Sequence, residues 1–191
     1  MAKRKSFNAL DIIKRTIAET VHEGDICIDA TAGRGNDTAF LCGLVGESGH
    51  VTAFDVQQEA VDSTKALLCE KGLSSRADVL LCSHSEMDKY AEEGTVSCIT
   101  FNFGWLPKGD HTVSTKKETS IEAIKKGLRL LKKDGIMTLI IYYGRDTGFE
   151  ERDALLEYLP TIDSEKYTVL EMPFVNRPNC PPIPVIIMRD E

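Results

Sequence analysis

Short apolar runs alternate with amphipathic segments along nearly the whole chain, and this alternation constrains the fold more than any other feature. Residues 7–22 predict a first helix, with Leu10, Ile13, Ile17 and Val21 at helical spacing. The turn signal Gly24-Asp25 precedes a short strand, Ile26 to Asp29. A helix over 37–45, a strand over 50–55, a helix over 57–71 closed by Gly72, and strands over 79–82 and 96–101 follow. Residues 116–133 predict a long helix ended by Gly135, then a fifth strand over 136–143 and a helix over 149–159 stopped by Pro160. Two last strands, 167–175 and 184–189, are joined by the Pro-rich loop 176–182 with no helix between them. Such alternation predicts an α/β fold, a mostly parallel sheet covered by helices on both faces. The final helix-free pair predicts an antiparallel hairpin at one edge. The 191 residues contain no internal repeat or linker, so one domain spanning 1–191 is expected.

The charge balance narrows the possible partners. The net charge is -7, which argues against broad electrostatic gripping of a nucleic-acid duplex but allows a local basic patch. No apolar run approaches the roughly 20 residues needed to span a bilayer. The basic N-terminus is not followed by an apolar signal segment, so no membrane association or export is expected. None of the six cysteines forms a CxxC pair. Buried free thiols suit a reducing, cytoplasmic compartment, with a zinc site or disulfide network as the alternative.

The most informative motif is Asp29-Ala-Thr-Ala-Gly-Arg-Gly-Asn-Asp37, between the first strand and the next helix. Ligands of doubly wound sheets bind beyond the carboxyl ends of the strands. Gly33 and Gly35 let backbone approach a ligand and take positive φ. Asp29 ends the strand, where a carboxylate can receive a cationic amino-acid moiety. Thr31, Asn36 and Asp37 complete the loop, and Asp37 can also cap the helix. A dinucleotide fingerprint wants GxGxxG, and the third Gly is replaced here by Thr38. An acid followed by glycines suits S-adenosylmethionine better, although Thr31 stands where the common pattern has its first Gly. A glycine-rich turn without ligand is the bland alternative. Asp55 ends the second strand, where an acid can take both ribose hydroxyls of a nucleoside, or cap the next helix. Val56 and Gln57 would border the adenine, and Ser83 or His84 could bond its edge.

The fourth strand leads into Asn102-Phe-Gly-Trp-Leu-Pro107. The α/β alternation with its final hairpin resembles a Rossmann-like class I methyltransferase, whose seven strands run in the order 3-2-1-4-5-7-6, and that resemblance implies that this position faces the reacting methyl. A carboxamide such as Asn102 can hold an amine by its hydrogens, and Trp105 can stack on a base. Alternatively, the aromatic residues are core and Asn102 a turn residue. Lys3, Arg4 and Lys5 form a basic arm. Lys125, Lys126, Arg129, Lys132 and Lys133 suggest one basic helix face, or merely a solvated one. Lys108, Arg145 and Arg177 lie in loops beside the site and are candidate phosphate contacts.

Together the segments 29–38, 54–57, 83–84, 101–110, 142–144, 151–153 and 174–182 resemble the bacterial family of YtqB-like proteins. That family was described as putative rRNA methylases and is recognised as MnmM-type tRNA methyltransferases. Here Trp105 stands where the family often has Tyr, and Arg145 where it often has His. The resemblance implies methylation of 5-aminomethyl-2-thiouridine at the tRNA wobble position, hence a tRNA partner contacted at its anticodon region. An rRNA or small-molecule methyltransferase, and a non-catalytic nucleotide-binding protein, are the alternatives. An alkyl amine with a pKa of about 10.4 is almost wholly protonated at pH 7. Supplying its neutral form costs on the order of 4–5 kcal/mol. His84, Asp110 and Tyr142 are the candidate helpers, and no metal is expected. A homodimer would let an acidic chain pool its phosphate contacts.

Overall fold

A computed structural model describes residues 7–104, 115–144 and 148–191. In it the apolar runs become β1 (Ile26–Asp29), β2 (His50–Asp55), β3 (Ala77–Leu81), β4 (Val96–Phe103), β5 (Leu131–Ile141), β6 (Tyr167–Glu171) and β7 (Ile183–Arg189). They form one sheet in the order β3-β2-β1-β4-β5-β7-β6. The first five strands run parallel, and β7 pairs antiparallel with both β5 and β6. The helices are α1 (Ala9–Thr20), α2 (Asn36–Val45), α3 (Gln58–Glu70), α4 (Lys117–Leu130) and α5 (Phe149–Tyr158).

Side chains alternate between two apolar layers, as the two-residue period of a strand requires. Cys27, Ala53, Cys98, Ile140 and Ile186 meet α1, α2 and α3 on one face. Their neighbours Ile28, Phe54, Ile99, Ile141 and Ile187 meet α4 and α5 on the other. Phe101 and Phe103 stack at 4.9 Å in the second layer. Each is almost fully buried, which stabilises the fold by roughly 1.5–3 kcal/mol per ring. Burial pushes the Cys27 thiol up to about 12 and Cys42 up to about 11, so both pack as protonated apolar groups. All six cysteines are free, with Cys69 and Cys180 exposed.

Most boundaries shift by one or two residues and β6 stops at Glu171, four residues short of the expected end, but two differences bear on the candidate functional residues. The fourth helix ends at Leu130, and β5 begins at Leu131, five residues before the expected strand. Leu131 pairs with Val96 and Ile136 with Cys98, so the intervening polar residues bulge out of register. Asp134 takes φ 61° there, and a Cβ on Gly135 would lie 2.8 Å from the Lys132 carbonyl. Lys132 and Lys133 therefore belong to this bulge and not to the helix. Their grouping with Lys125, Lys126 and Arg129 on one helix face is corrected. The second difference is at β4, which continues through Asn102 and Phe103, paired with Ile140 and Ile141. Asn102 is thus held inside the strand end and does not lie past it.

Candidate active site

The carboxyl ends of β1 to β5 open on a cavity of about 980 Å³. That is at the upper end of the roughly 300–1,000 Å³ common for small-molecule sites. Its wall takes a contribution from each strand end: Gly33 after β1, Asp55 as the last residue of β2, His84 after β3, Asn102 on β4 and Tyr142 after β5. Thr31, Asn36, Asp37, Val56, Gln57 and Ser83 also line it.

Asp55 organises the glycine loop. One carboxylate oxygen accepts the Gly33 N–H at 2.9 Å, and the other accepts the Gln57 N–H at 3.0 Å. The residue caps no helix with its side chain; Gln57 is the N-cap of α3. Each oxygen keeps a second lone pair for a cavity ligand. Val56 beside it is 61% exposed, an apolar surface open to the cavity.

Asp29 and Gly35 are placed differently from their expected ligand roles, and neither lies on the cavity wall. Asp29 is fully buried, accepting the Thr38 hydroxyl at 2.6 Å and the Thr31 N–H at 3.2 Å. Burial raises its carboxyl to about 7, and repulsion from Asp37 adds to this, while the Thr38 and Thr31 bonds pull partly back. It pins the loop from beneath. Gly35 has φ 79° as the N-cap of α2, and a Cβ there would lie 2.9 Å from the Thr64 backbone of α3. Its smallness serves helix packing. Thr64 completes the support by donating to the Gly33 carbonyl at 3.3 Å.

Thr31, which breaks the common glycine pattern, has a use of its own. Its hydroxyl accepts the Asn102 N–H at 2.7 Å, tying the loop to the end of β4. Asn102 Nδ2 donates to Asp37 at 2.9 Å. The other Asp37 oxygen meets the Lys14 ammonium at 3.1 Å. The carboxylate acceptor fixes which end of the amide is nitrogen, so Oδ1 is the atom Asn102 can offer to the cavity. Asp37 is therefore a bridge, not a helix cap.

His84 is buried, with Nδ1 3.2 Å from the Ala30 carbonyl. A carbonyl only accepts, so Nδ1 carries the proton and Nε2 is a bare acceptor. Nε2 is enclosed without a partner, and the ring packs edge-on against Phe101 and Phe103. Burial holds its pKa below the ordinary imidazole value, so it is neutral at pH 7. Ser83 caps the short 3-10 turn His84–Lys89, accepting the Ser85 N–H. Burial and the nearby Asp37 push the Tyr142 phenol upward, so it keeps its proton.

Trp105, Lys108, Asp110, Arg145 and the arm Lys3 to Lys5 lie outside the described residues. Arg177 sits 4.0 Å from the Phe174 ring centroid and donates to the Phe7 carbonyl, so its guanidinium already has partners within the chain. The α4 cations are similarly engaged. Lys126 pairs with Asp88 and Glu122, and Arg129 with Glu93. Lys132 on β5 pairs with Asp25. The solvated-face reading of that helix is the better account.

The sequence reading missed several wall and support residues. Lys14 sits one helical turn after Leu10 on a face that looked merely amphipathic. Thr115, Lys116 and Thr119 reach the cavity from the start of α4. The Thr115 and Ser120 hydroxyls both donate to buried Glu151 at 2.6 Å. Burial raises the Glu151 carboxyl, and these two bonds oppose the rise. Among the described residues there is no cluster suited to a metal ion and no helix long and apolar enough to cross a membrane.

Comparison with known proteins follows the same lines. Residues 51–188 match the family model described as "Putative rRNA methylase". A crystal structure described as a putative rRNA-methylase from Clostridium thermocellum is 45% identical with a TM-score of 0.94, covering 97% of this chain and 100% of that one. A putative methyltransferase from Streptococcus mutans, solved in complex with S-adenosylhomocysteine (SAH), is 33% identical with a TM-score of 0.86 and 99% coverage of both chains. The Arabidopsis thaliana chloroplastic tRNA (mnm(5)s(2)U34)-methyltransferase is 31% identical over 182 residues, 90% of this chain. The chain spans 66% of the length of that plant relative, just under two thirds. The sheet order, the cavity at its carboxyl edge and these matches agree: the chain belongs to the family of putative rRNA methylases, a family of S-adenosylmethionine-dependent methyltransferases.

Proposed function

We propose that this chain methylates the primary amine of 5-aminomethyl-2-thiouridine at the tRNA wobble position, giving the methylaminomethyl form. The observation that carries the reading is Asn102. Its Nδ2 is committed to Asp37, which leaves Oδ1 as the acceptor that this cavity-lining residue can offer. An acceptor there holds an amine by a hydrogen and turns its lone pair toward the donor side of the cavity. The plant relative's name gives the same modified nucleoside. The description of the family model favours a second reading, an rRNA acceptor.

The wall residues fit the cofactor of the family. Asp55 has lone pairs left for ribose hydroxyls, Val56 offers an apolar face for a base, and Gly33 brings backbone close. S-adenosylmethionine, when bound, supplies a methyl on a sulfonium, an activated leaving group. The protein must supply a neutral amine. Tyr142 keeps its proton, so it can donate or accept a hydrogen bond but cannot take up the proton of the amine. His84 is neutral with Nε2 unprotonated, but that nitrogen is enclosed and burial makes it a weaker base than a free imidazole, so His84 is a poor acceptor for the ammonium proton. Asp110 is the remaining candidate. The substrate implies an anticodon-region contact, and a net charge of -7 favours one made by few basic residues. Nucleoside analysis of tRNA and rRNA from cells with and without the gene tests this. Loss of the methylaminomethyl nucleoside with build-up of its aminomethyl precursor is expected. Unchanged tRNA with a missing rRNA methylation contradicts it.

A further inference from the structure

The chain leaves β4 at Gly104, and Thr115 stands just ahead of α4. Two hydrogen bonds close this junction. Gly104 N–H donates to Thr115 Oγ1 at 2.9 Å, and Thr115 N–H donates to the Gly104 carbonyl at 3.0 Å. A hydroxyl has one hydrogen, and that of Thr115 goes to Glu151 Oε2 at 2.6 Å. The direction of the relay is thereby forced: Gly104 N–H to Thr115 O–H to the Glu151 carboxylate. Ser120, fully buried on α4, fills the other carboxylate oxygen at 2.6 Å. Glu151 itself is only 6% exposed and does not reach the cavity.

The relay ends where the reaction needs precision. Gly104 and Thr115 both line the cavity. Gly104 lies two residues beyond Asn102 and takes φ 142°, and a Cβ there would lie 3.1 Å from Cβ of Tyr142. The end of β4 is therefore fixed from two sides: by Thr31 on the cofactor side through the Asn102 N–H, and by Thr115 beyond it through the Gly104 N–H. We infer that Glu151 is a positioning residue which, through Thr115 and Ser120, anchors the end of β4 and the start of α4 and so sets the acceptor side of the cavity. The inference rests on the reading that the methyl acceptor enters beside Asn102. A carboxylate buried between two hydroxyls polarises each bond in such a chain and makes the junction stiff. Misplacement of a reacting group by about 1 Å can cost on the order of a hundredfold in rate.

Thr115→Val keeps the shape and removes the hydroxyl, whereas Thr115→Ser restores it. Glu151→Gln alters the acceptor end. The readouts are amide exchange at Gly104, SAH affinity, and kcat and KM on tRNA bearing 5-aminomethyl-2-thiouridine. In Thr115→Val the Gly104 amide is expected to exchange at least about tenfold faster, because its acceptor is gone. SAH affinity should stay within about twofold. The kcat should fall about tenfold or more while the tRNA KM moves much less, with Thr115→Ser close to wild type. Glu151→Gln should follow Thr115→Val in direction. Unchanged Gly104 exchange, or unchanged kcat in folded Thr115→Val, overturns the inference. So does an SAH affinity that falls in step with kcat, which would mark general disruption. Wild-type protein that transfers no methyl to this tRNA refutes the proposed substrate, and the exchange result then decides the anchor independently.

Discussion

Replacing Asp29 with Asn should make the protein less sensitive to alkaline pH, because Asp29 is a carboxyl that the fold prefers to keep protonated. In the folded chain it titrates at about 7, against its ordinary 3.8, chiefly because it is fully buried. One pH unit of displacement corresponds to 1.36 kcal/mol, so the whole rise is on the order of 4 kcal/mol. The native state holds the Asp29 proton between these two values while the unfolded state does not. This contribution to stability is therefore present below pH 4, is lost as pH rises through 7, and is flat above. About 2.5 kcal/mol of the loss falls between pH 5 and 8. Asn keeps both neighbours: its carbonyl can accept the Thr31 N–H, and its amide can donate to Thr38 Oγ1. Urea unfolding of ligand-free wild type and Asp29→Asn at pH 5 and pH 8 isolates the effect, since every other titrating group is common to both. Asn should steadily gain on Asp across that window. Equal pH slopes in the two proteins, or a steeper one in the variant, would refute the argument that Asp29 is buried as a loop anchor.

Other consequences are simpler to read. Asp55→Ala removes the acceptor for two backbone N–H groups and the proposed ribose contacts, so calorimetry should show cofactor binding weakened by at least about 1.5–3 kcal/mol; unchanged affinity in a folded variant contradicts the assignment. Asn102→Ala should lower kcat about a hundredfold with SAH affinity nearly intact, and a near-normal kcat would end the amine-holding role. Replacing Lys125 and Arg129 together with Ala should leave tRNA affinity within about twofold, because Arg129 already pairs with Glu93 and Lys125 lies over the Tyr158 ring; a large loss in filter binding would make that helix an RNA surface after all.

The sheet was legible in the sequence because each strand is a short apolar run between turn signals. β1 and β2 match the expected ranges residue for residue. The bulge at Lys132 to Gly135 was not legible. Its polar residues continue the helical pattern of α4, and only pairing with β4 reveals where the strand begins. At the site, strand-end acids were easy to find, but their orientations were not. Asp29 and Asp55 occupy equivalent places in the pattern, yet one is sealed under the loop and the other faces the cavity. That difference comes from their partners: the Thr38 hydroxyl and the Thr31 N–H hold Asp29 beneath the loop, whereas the Gly33 and Gln57 N–H groups hold Asp55 at the cavity, and no local spacing encodes such a division. Glu151 was similarly hidden, because its partners Thr115 and Ser120 lie more than thirty residues away in the chain.

Methyl transfer by the purified protein onto two matched tRNAs, one bearing 5-aminomethyl-2-thiouridine and one lacking the aminomethyl group, tests the central claim most directly. Labelled methyl from S-adenosylmethionine should appear only on the first and co-migrate with the methylaminomethyl nucleoside. Its rate should climb with pH while neutral amine remains scarce, then level off. Equal labelling of both tRNAs, or labelling of neither while rRNA is methylated, would contradict the account.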